Sequence, residues 1–322
     1  SKPEKIACKV DVRSQTGESV NTDAADKEDQ VDNVILAGSP YVSTLTGKSF
    51  DVATGGTNTA VFNVESFLGK KDFFFAANLK ADDAERMGIS GVETDFNKLE
   101  FNTKDYIRGF FGNDAKKPIP MSAALRDVES PTNAVSGLTS LSKSEVKLER
   151  LFARIDIVPR AEDGGYNFGF LPYEFTITGI RLLNVPAKFS VGGPIANYDL
   201  KHKASATDYP YLDPIQLPLG TPTVNNSIKT YPTISVYLPE NYVSHPVFGA
   251  QDLNGMTYLE ITYTARWTTN QLGKELVDQE VYPEPKSGKC YFRIGAGGNN
   301  TPHYGQIRRN AVYTCYFTLG ES

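Results

Sequence analysis

The run from Val146 to Pro159, VKLERLFARIDIVP, limits the fold more than any other stretch of the chain. Val146 and Leu148 alternate with Lys147 and Glu149. Beyond Glu149-Arg150 the alternation resumes, with Leu151, Ala153, Ile155 and Ile157 on one face and Phe152, Arg154 and Asp156 on the other. A period of two specifies a β-strand, and the slip in phase at Glu149-Arg150 predicts a bulge. Pro159 and the polar run to Gly165 predict its end. The stretch before it, Ser130 to Ser144, is rich in Ser, Thr, Gly and Asn and reads as a linker. A long strand entered from a linker near the midpoint predicts the start of a second domain, which divides the chain into residues 1–145 and 146–322. The other reading is a central strand of one large domain. A length of 322 residues fits two domains.

The same period recurs along the chain. Ile6, Cys8, Val10 and Val12 alternate with Ala7, Lys9, Asp11 and Arg13, which predicts a first strand with one apolar face. Gln15 to Gln30 follows, acidic, rich in Ser, Thr, Gly and Asn and with almost nothing apolar, and reads as a mobile connector. Strands are then expected at Val31 to Gly38, Phe50 to Val52, Thr59 to Val64 and Asp72 to Asn78, and a helix at Ala81 to Met87 capped by Gly88. Lys117 to Ala123, KPIPMSA, is interrupted by proline and reads as an edge or a loop. Further strands are expected in Glu174 to Val191, Thr233 to Asn241, Thr257 to Thr268, Cys290 to Ile294 and Ala311 to Leu319. Ala196 to Ile228, dense in Pro, Tyr and Asn, reads as a surface excursion. With 18 Phe, 17 Tyr, 27 Gly and 19 Pro, the composition favours strands joined by turns. The predicted fold is all-β, as two tandem antiparallel β-sandwich domains.

Signals for chemistry are few. His202, His245 and His303 sit in polar or proline-flanked loops and show no metal-ligand spacing. Thr46-Gly47-Lys48-Ser49 ends like a phosphate loop, but Val42 stands where that loop needs glycine. Gly295-Ala296-Gly297-Gly298 lacks the third glycine of a dinucleotide fingerprint and opens no helix. Asp26-Lys27-Glu28-Asp29 lacks the order of a calcium loop. Asn225-Asn226-Ser227 and Asn299-Asn300-Thr301 fit the short glycosylation pattern. No catalytic residue, cofactor or metal is therefore expected. A net charge of −5 and the lack of a basic run argue against a nucleic-acid partner. No apolar run reaches the roughly 20 residues needed to span a bilayer.

The three cysteines, Cys8, Cys290 and Cys315, lack zinc-site spacing. If the last two strands form a symmetric hairpin around Ala296 to Asn310, Cys290 stands opposite Cys315. The pair is then either a disulfide or two buried free thiols.

Five segments, in order, carry a resemblance: Gly69 to Asn78 (GKKDFFFAAN), Pro120 to Ser122 (PMS), Arg150 to Ile155 (RLFARI), Tyr237 to Asn241 (YLPEN) and Arg309 to Tyr313 (RNAVY). Together with the first strand and its acidic connector, they resemble the fimbrillin family of Bacteroidia, the major fimbrial subunits and related minor pilins of type V pili. The resemblance spans nearly the whole chain. It implies two transthyretin-like β-sandwich domains, no catalysis, and a lipoprotein precursor exported to the outer-membrane surface. It also implies assembly with other fimbrial subunits by strand exchange. A protease removes the first strand after an arginine, and a neighbour's C-terminal strand fills the groove. Ile6, Cys8, Val10 and Val12 would then be the exchanged positions.

Two departures stand out. Shaft subunits carry a donor segment after the R-N-x-x-Y strand, whereas this sequence stops at Ser322. They also carry an arginine late in the connector, whereas Ser14 to Gln30 has none and Arg13 is the nearest candidate processing site. Both favour a minor, accessory, tip or anchor-type subunit. The alternative is a non-polymerising surface β-sandwich that binds a glycan or host protein, with Tyr209 to Leu212 and Trp267 as its aromatic candidates.

Overall fold

The computed structural model describes residues 5–14, 31–37, 58–65, 69–87, 99–107, 118–129, 145–162, 173–192, 211–241, 255–267, 286–294 and 306–320. Among these lie seventeen strands and one α-helix, an all-β fold. The first elements are β1 (Lys5–Ser14), β2 (Val34–Ala37), β3 (Asn58–Glu65), β4 (Lys70–Ala77), α1 (Ala81–Met87), β5 (Glu100–Asn102), β6 (Met121–Glu129) and β7 (Glu145–Arg150). Then come β8 (Phe152–Glu162), β9 (Tyr173–Leu183), β10 (Lys188–Ser190), β11 (Ile215–Gln216), β12 (Thr223–Asn225) and β13 (Ile228–Thr230). The last are β14 (Ile234–Pro239), β15 (Tyr258–Trp267), β16 (Lys286–Arg293) and β17 (Val312–Leu319).

The chain forms two compact units. The first comprises Ser1–Ala153, Ala187–Ala196 and Arg308–Ala311; the second comprises Arg154–Pro186, Asn197–Ile307 and Val312–Ser322. The expected boundary at 145/146 falls one residue inside β7, whereas the division by contacts falls after Ala153, because β7 pairs with β1 and β6 of the first unit.

In the first unit a six-stranded sheet has the order β2-β4-β6-β7-β1-β3, and β5 pairs with β10. The centre of β4, Phe73 to Ala77, is buried on both faces, as its unbroken apolar run requires. Phe189 of β10 gathers Phe101, Tyr106 and Phe152 around it, with ring centroids 5.6, 5.3 and 5.0 Å away. Tilted and edge-on packing of this kind suits the ring quadrupoles.

The second unit holds a four-stranded sheet, β11-β9-β15-β16, and a five-stranded sheet, β12-β13-β8-β14 with β17 also on β8. Ile155 and Ile157 of β8, Ile180 and Leu182 of β9, and Leu259 and Ile261 of β15 are buried. Burying each such side chain contributes about 1.5–3 kcal/mol. Phe292 of β16 and Phe317 of β17 join the two sheets at 5.7 Å. Tyr231 joins them again: its N–H donates to the Pro159 carbonyl of β8 (3.0 Å), and its hydroxyl accepts from the Ile177 N–H of β9 (3.0 Å). Ile177 adjoins a register shift opposite Thr262/Tyr263, so the tyrosine satisfies a donor that the bulge takes out of the ladder. A third tie is Lys229 of β13, which reaches Glu174 (3.1 Å) and the Phe175 carbonyl (2.7 Å) of β9.

Asparagines and arginines from the motifs tie the segments between strands. Asn78, at φ +62, donates to the Ile119 carbonyl (2.7 Å) and accepts from the Asp32 N–H (2.7 Å). Arg150 donates to Asn310 Oδ1 (2.8 Å), whose own N–H donates to the Phe152 carbonyl (3.1 Å). Arg309 donates to the Val191 and Ser190 carbonyls (2.7 and 3.2 Å). In the second unit Asn241 exchanges main-chain bonds with Ile307. Its buried Nδ2 donates to the Gly255 carbonyl (2.9 Å), Thr257 Oγ1 (3.0 Å) and the Asn184 carbonyl (3.3 Å).

Several expectations are corrected. Val146 to Pro159 is two strands that break at Leu151, just beyond the phase slip. Pro159 does not end β8, since its carbonyl still accepts a bond and the strand runs on to Glu162. The KPIPMSA segment is not an edge: from Met121 it enters β6, which lies between β4 and β7. Its prolines stop one residue short of the strand. The surface excursion carries β11 and β12, and its Leu217 is buried. The expected hairpin of the last two strands is absent. β16 pairs with β15, with Cys290 opposite Ile261, while β17 pairs with β8, with Cys315 opposite Ile157. The bonds of Ile307, Arg309 and Asn310 divert the chain between them to other partners. Cys290 and Cys315 are free thiols, so no disulfide joins them. The pairings of β1 with β7 and of β17 with β8 are parallel, unlike the antiparallel ladders of β1 with β3, β4 with β6 and β15 with β9 and β16.

Two outcomes follow from these ties. Asn241→Ala should lower the free energy of unfolding by about 2 kcal/mol in chemical denaturation, because the Gly255 carbonyl stays buried without its Asn241 donor, while the Asn184 carbonyl keeps the Thr257 hydroxyl at 2.8 Å. Ser235→Ala, which removes an exposed bond to Asp156, should cost much less. At Glu174 burial works to raise the carboxyl pKa, but hydrogen bonds from Arg266 and Lys229 outweigh it and hold the group below its usual value. A depressed folded-state pKa gives stability that is present above the unfolded-state value and is lost as pH falls through the folded one. Glu174→Gln should therefore be less stable than the parent at pH 7, and the gap should close below the ordinary carboxylate range. A gap that stays constant down to acid pH would assign the effect to packing instead.

Candidate functional site

The first strand is the element to which the sequence points, and its backbone lies within the six-stranded sheet. β1 runs antiparallel to β3 through eight opposed pairs, from Lys5↔Glu65 to Val12↔Asn58. On its other edge it runs parallel to β7 through Asp11↔Glu145, Val12↔Val146, Arg13↔Lys147 and Ser14↔Leu148. The register sets Ile6 opposite Val64, Cys8 opposite Phe62 and Val10 opposite Ala60. The apolar positions of β1 thus stand at the same register positions as those of β3. Val12 stands opposite Val146, which is fully buried, while Lys147, opposite Arg13, is exposed.

Taking β1 away would uncover the edges of β3 and of the first half of β7. Neighbouring strands lie about 4.8 Å apart, so the two edges would face each other across roughly 10 Å, the width of one strand. The pairs with β7 are fewer and parallel, a slightly weaker arrangement per residue than the antiparallel ladder with β3.

Arg13 lies inside β1 rather than in the connector. A protease binds its substrate as an unpaired extended segment, so cleavage at Arg13 requires the last residues of β1 to leave β7 first. The side chains of Ile6, Cys8, Val10, Val12 and Arg13 lie outside the described residues, as do connector residues 15–30 and His202, His245 and His303.

Polar clusters elsewhere serve the fold. Burial, and then the Asp83 carboxylate, push the Tyr106 hydroxyl far above its usual pKa; it donates to Asp83, which also pairs with Arg86 (3.1 Å). Arg86 continues to the Glu100 carbonyl (2.7 Å), so the group fastens α1 to β5. Burial, with the Asp156 carboxylate adding to it, raises the Cys315 thiol to about 12, and burial raises Cys290. Both are held as thiols, which are poor nucleophiles. Among the described residues no three His, Cys, Asp or Glu side chains gather as a metal site. No helix there is long and apolar enough to cross a membrane. Of the aromatic candidates, Tyr211 is buried and bridges to Pro186, Tyr209 lies outside the described residues, and so does the Trp267 side chain.

No family model and no curated protein matches the sequence. Solved structures do match in fold over nearly the whole chain. The tip fimbrial protein Mfa3 of Porphyromonas gingivalis, truncated at its C-terminus, has a TM-score of 0.53 at 15% identity over 97% of this chain and 94% of its own. A fimbrilin from Porphyromonas gingivalis has a TM-score of 0.53 at 12% identity over 99% of both chains. A candidate cell adhesion protein of Parabacteroides distasonis has a TM-score of 0.54 at 16% identity over 98% of this chain and 92% of its own. The chain thus has the all-β fold of these fimbrial and adhesion-related structures.

Proposed function

We propose that this chain is a structural subunit of a bacterial surface fimbria, that it joins neighbouring subunits by β-strand exchange, and that it supports adhesion. The observation that carries the proposal is the place of β1, an N-terminal strand paired on both edges with strands from elsewhere in the chain. Main-chain bonds to β3 and β7 supply affinity and would serve any incoming strand equally. Alternate apolar residues supply register. The likeness in fold to a tip fimbrial protein and a fimbrilin supports the same reading. In it the subunit sits on the cell surface, its precursor carries a lipid anchor, and its partners are other fimbrial subunits. A connector without arginine favours an accessory, tip or anchor position over the shaft.

The test is capture of a strand. The protein is treated with an arginine-specific protease and mixed with a fluorescent peptide of the sequence Ser1 to Arg13. Anisotropy should rise for the cut protein and not for the intact one. A peptide with serine in place of Ile6, Cys8, Val10 and Val12 should not be captured. Equal capture by cut and intact protein, or equal capture of both peptides, would rule out exchange in this groove.

A further inference from the structure

One face of the four-stranded sheet carries a patch that strand exchange in the first unit does not use. Leu259 and Ile261 of β15 are buried in the core, so Tyr258 and Glu260 stand on the opposite face. The register sets Arg181 and Tyr291 on either side of Glu260, and Arg293 beside Tyr258. Lys289, two residues from Tyr291, shares this face. Among the described residues the patch thus holds three cations, Arg181, Lys289 and Arg293, and one carboxylate, on a chain of net charge −5.

The carboxylate is already engaged. Glu260 is 5% exposed, and its Oε1 accepts from Arg181 Nε at 2.9 Å and lies 2.7 Å from Nη2, with Lys289 Nζ at 3.9 Å. Arg181 Nη1 and the Tyr291 hydroxyl have no hydrogen-bond partner among the described residues. The Lys289 side chain is 57% exposed and Tyr291 is 52% exposed. Tyr258 holds the Tyr291 ring edge-to-face at 5.7 Å. The side chains stand on three hydrogen-bonded strands, so the ladder fixes the spacing of their Cα atoms. Across two strand spacings it spans roughly 10 Å, and along the strands about 7 Å for two residues. That is the footprint of one sugar ring.

We infer that this face binds an anionic sugar of a glycan, with the ring against Tyr291 and a carboxylate or sulfate between Arg181 and Lys289. A protein partner fits less well. Protein interfaces bury about 800 Å² on each side around an apolar centre. Tyr291 is the one large apolar side chain exposed on this face among the described residues, since Val224 and Tyr316 belong to the other sheet. The site lies in the second unit, so its success or failure is independent of strand capture by the first.

Isothermal titration of the intact protein with oligogalacturonate, a heparin-derived oligosaccharide, a neutral galactan oligosaccharide and polyglutamate tests the inference. At least one of the two anionic sugars should bind, more weakly as salt rises. Which of them binds identifies carboxylate or sulfate as the recognised group. Tyr291→Ala and Lys289→Ala should each weaken binding roughly tenfold, the effect of losing one stacking or one charged contact. Both side chains are exposed, so both variants should melt with the parent. The inference is overturned if neither anionic sugar binds, if both variants bind as the parent does, or if the neutral sugar or polyglutamate binds equally well.

Discussion

The main-chain hydrogen bonds of residues 145–162 organise one sheet in each of the two units. β7 pairs with β1 and β6, and β8 pairs with β13, β14 and β17, so this one run is bonded to strands drawn from Lys5 to Leu319. A buried peptide group without a partner costs about as much as a lost hydrogen bond, so a strand with neighbours on both edges fixes where those neighbours lie. The break at Leu151 separates two pairing schemes, and every residue from Arg150 to Ala153 is buried there. The alternation of Val146 to Ala161 serves both schemes because each needs one apolar face.

That alternation is why so much of the fold was legible in the sequence. Strands with a regular alternation, such as β1 and β15, are legible nearly to the residue, and α1 follows from its glycine-terminated pattern. The errors share one cause, which is that pairing is non-local. Nothing in Cys290 to Ile294 says that its partner is β15 rather than the next strand along, and symmetry of the intervening loop is a weak guide when Arg309 and Asn310 are bonded elsewhere. KPIPMSA looks like an edge because of Pro118 and Pro120, whereas the ladder begins at Met121, where no proline stands.

The site was legible to a different degree. The first strand is visible in the sequence, but its partners are not, because its pairing with β3 and with β7 joins segments far apart in the chain. The polar motif residues were read as marks of kinship, and the structure gives them a physical role. Asn78 and Asn310 adopt positive φ and bond neighbouring segments, a conformation that asparagine tolerates better than most residues. Tyr291 left no sequence signal, because an exposed aromatic acquires meaning only from the cations that pairing sets around it.

The position of Arg13 inside a paired strand separates cutting from leaving. While the chain is continuous, β1 is a tethered segment, and a tether of modest length holds it at an effective concentration in the millimolar range. A cut after Arg13 breaks no bond to β3 and leaves all eight of those pairs in place. It changes the molecularity of the contact. The strand becomes a ligand with an off-rate, its return depends on its own dilution, and any competing strand supplied on a neighbouring molecule then contends with a free peptide instead of a fixed one.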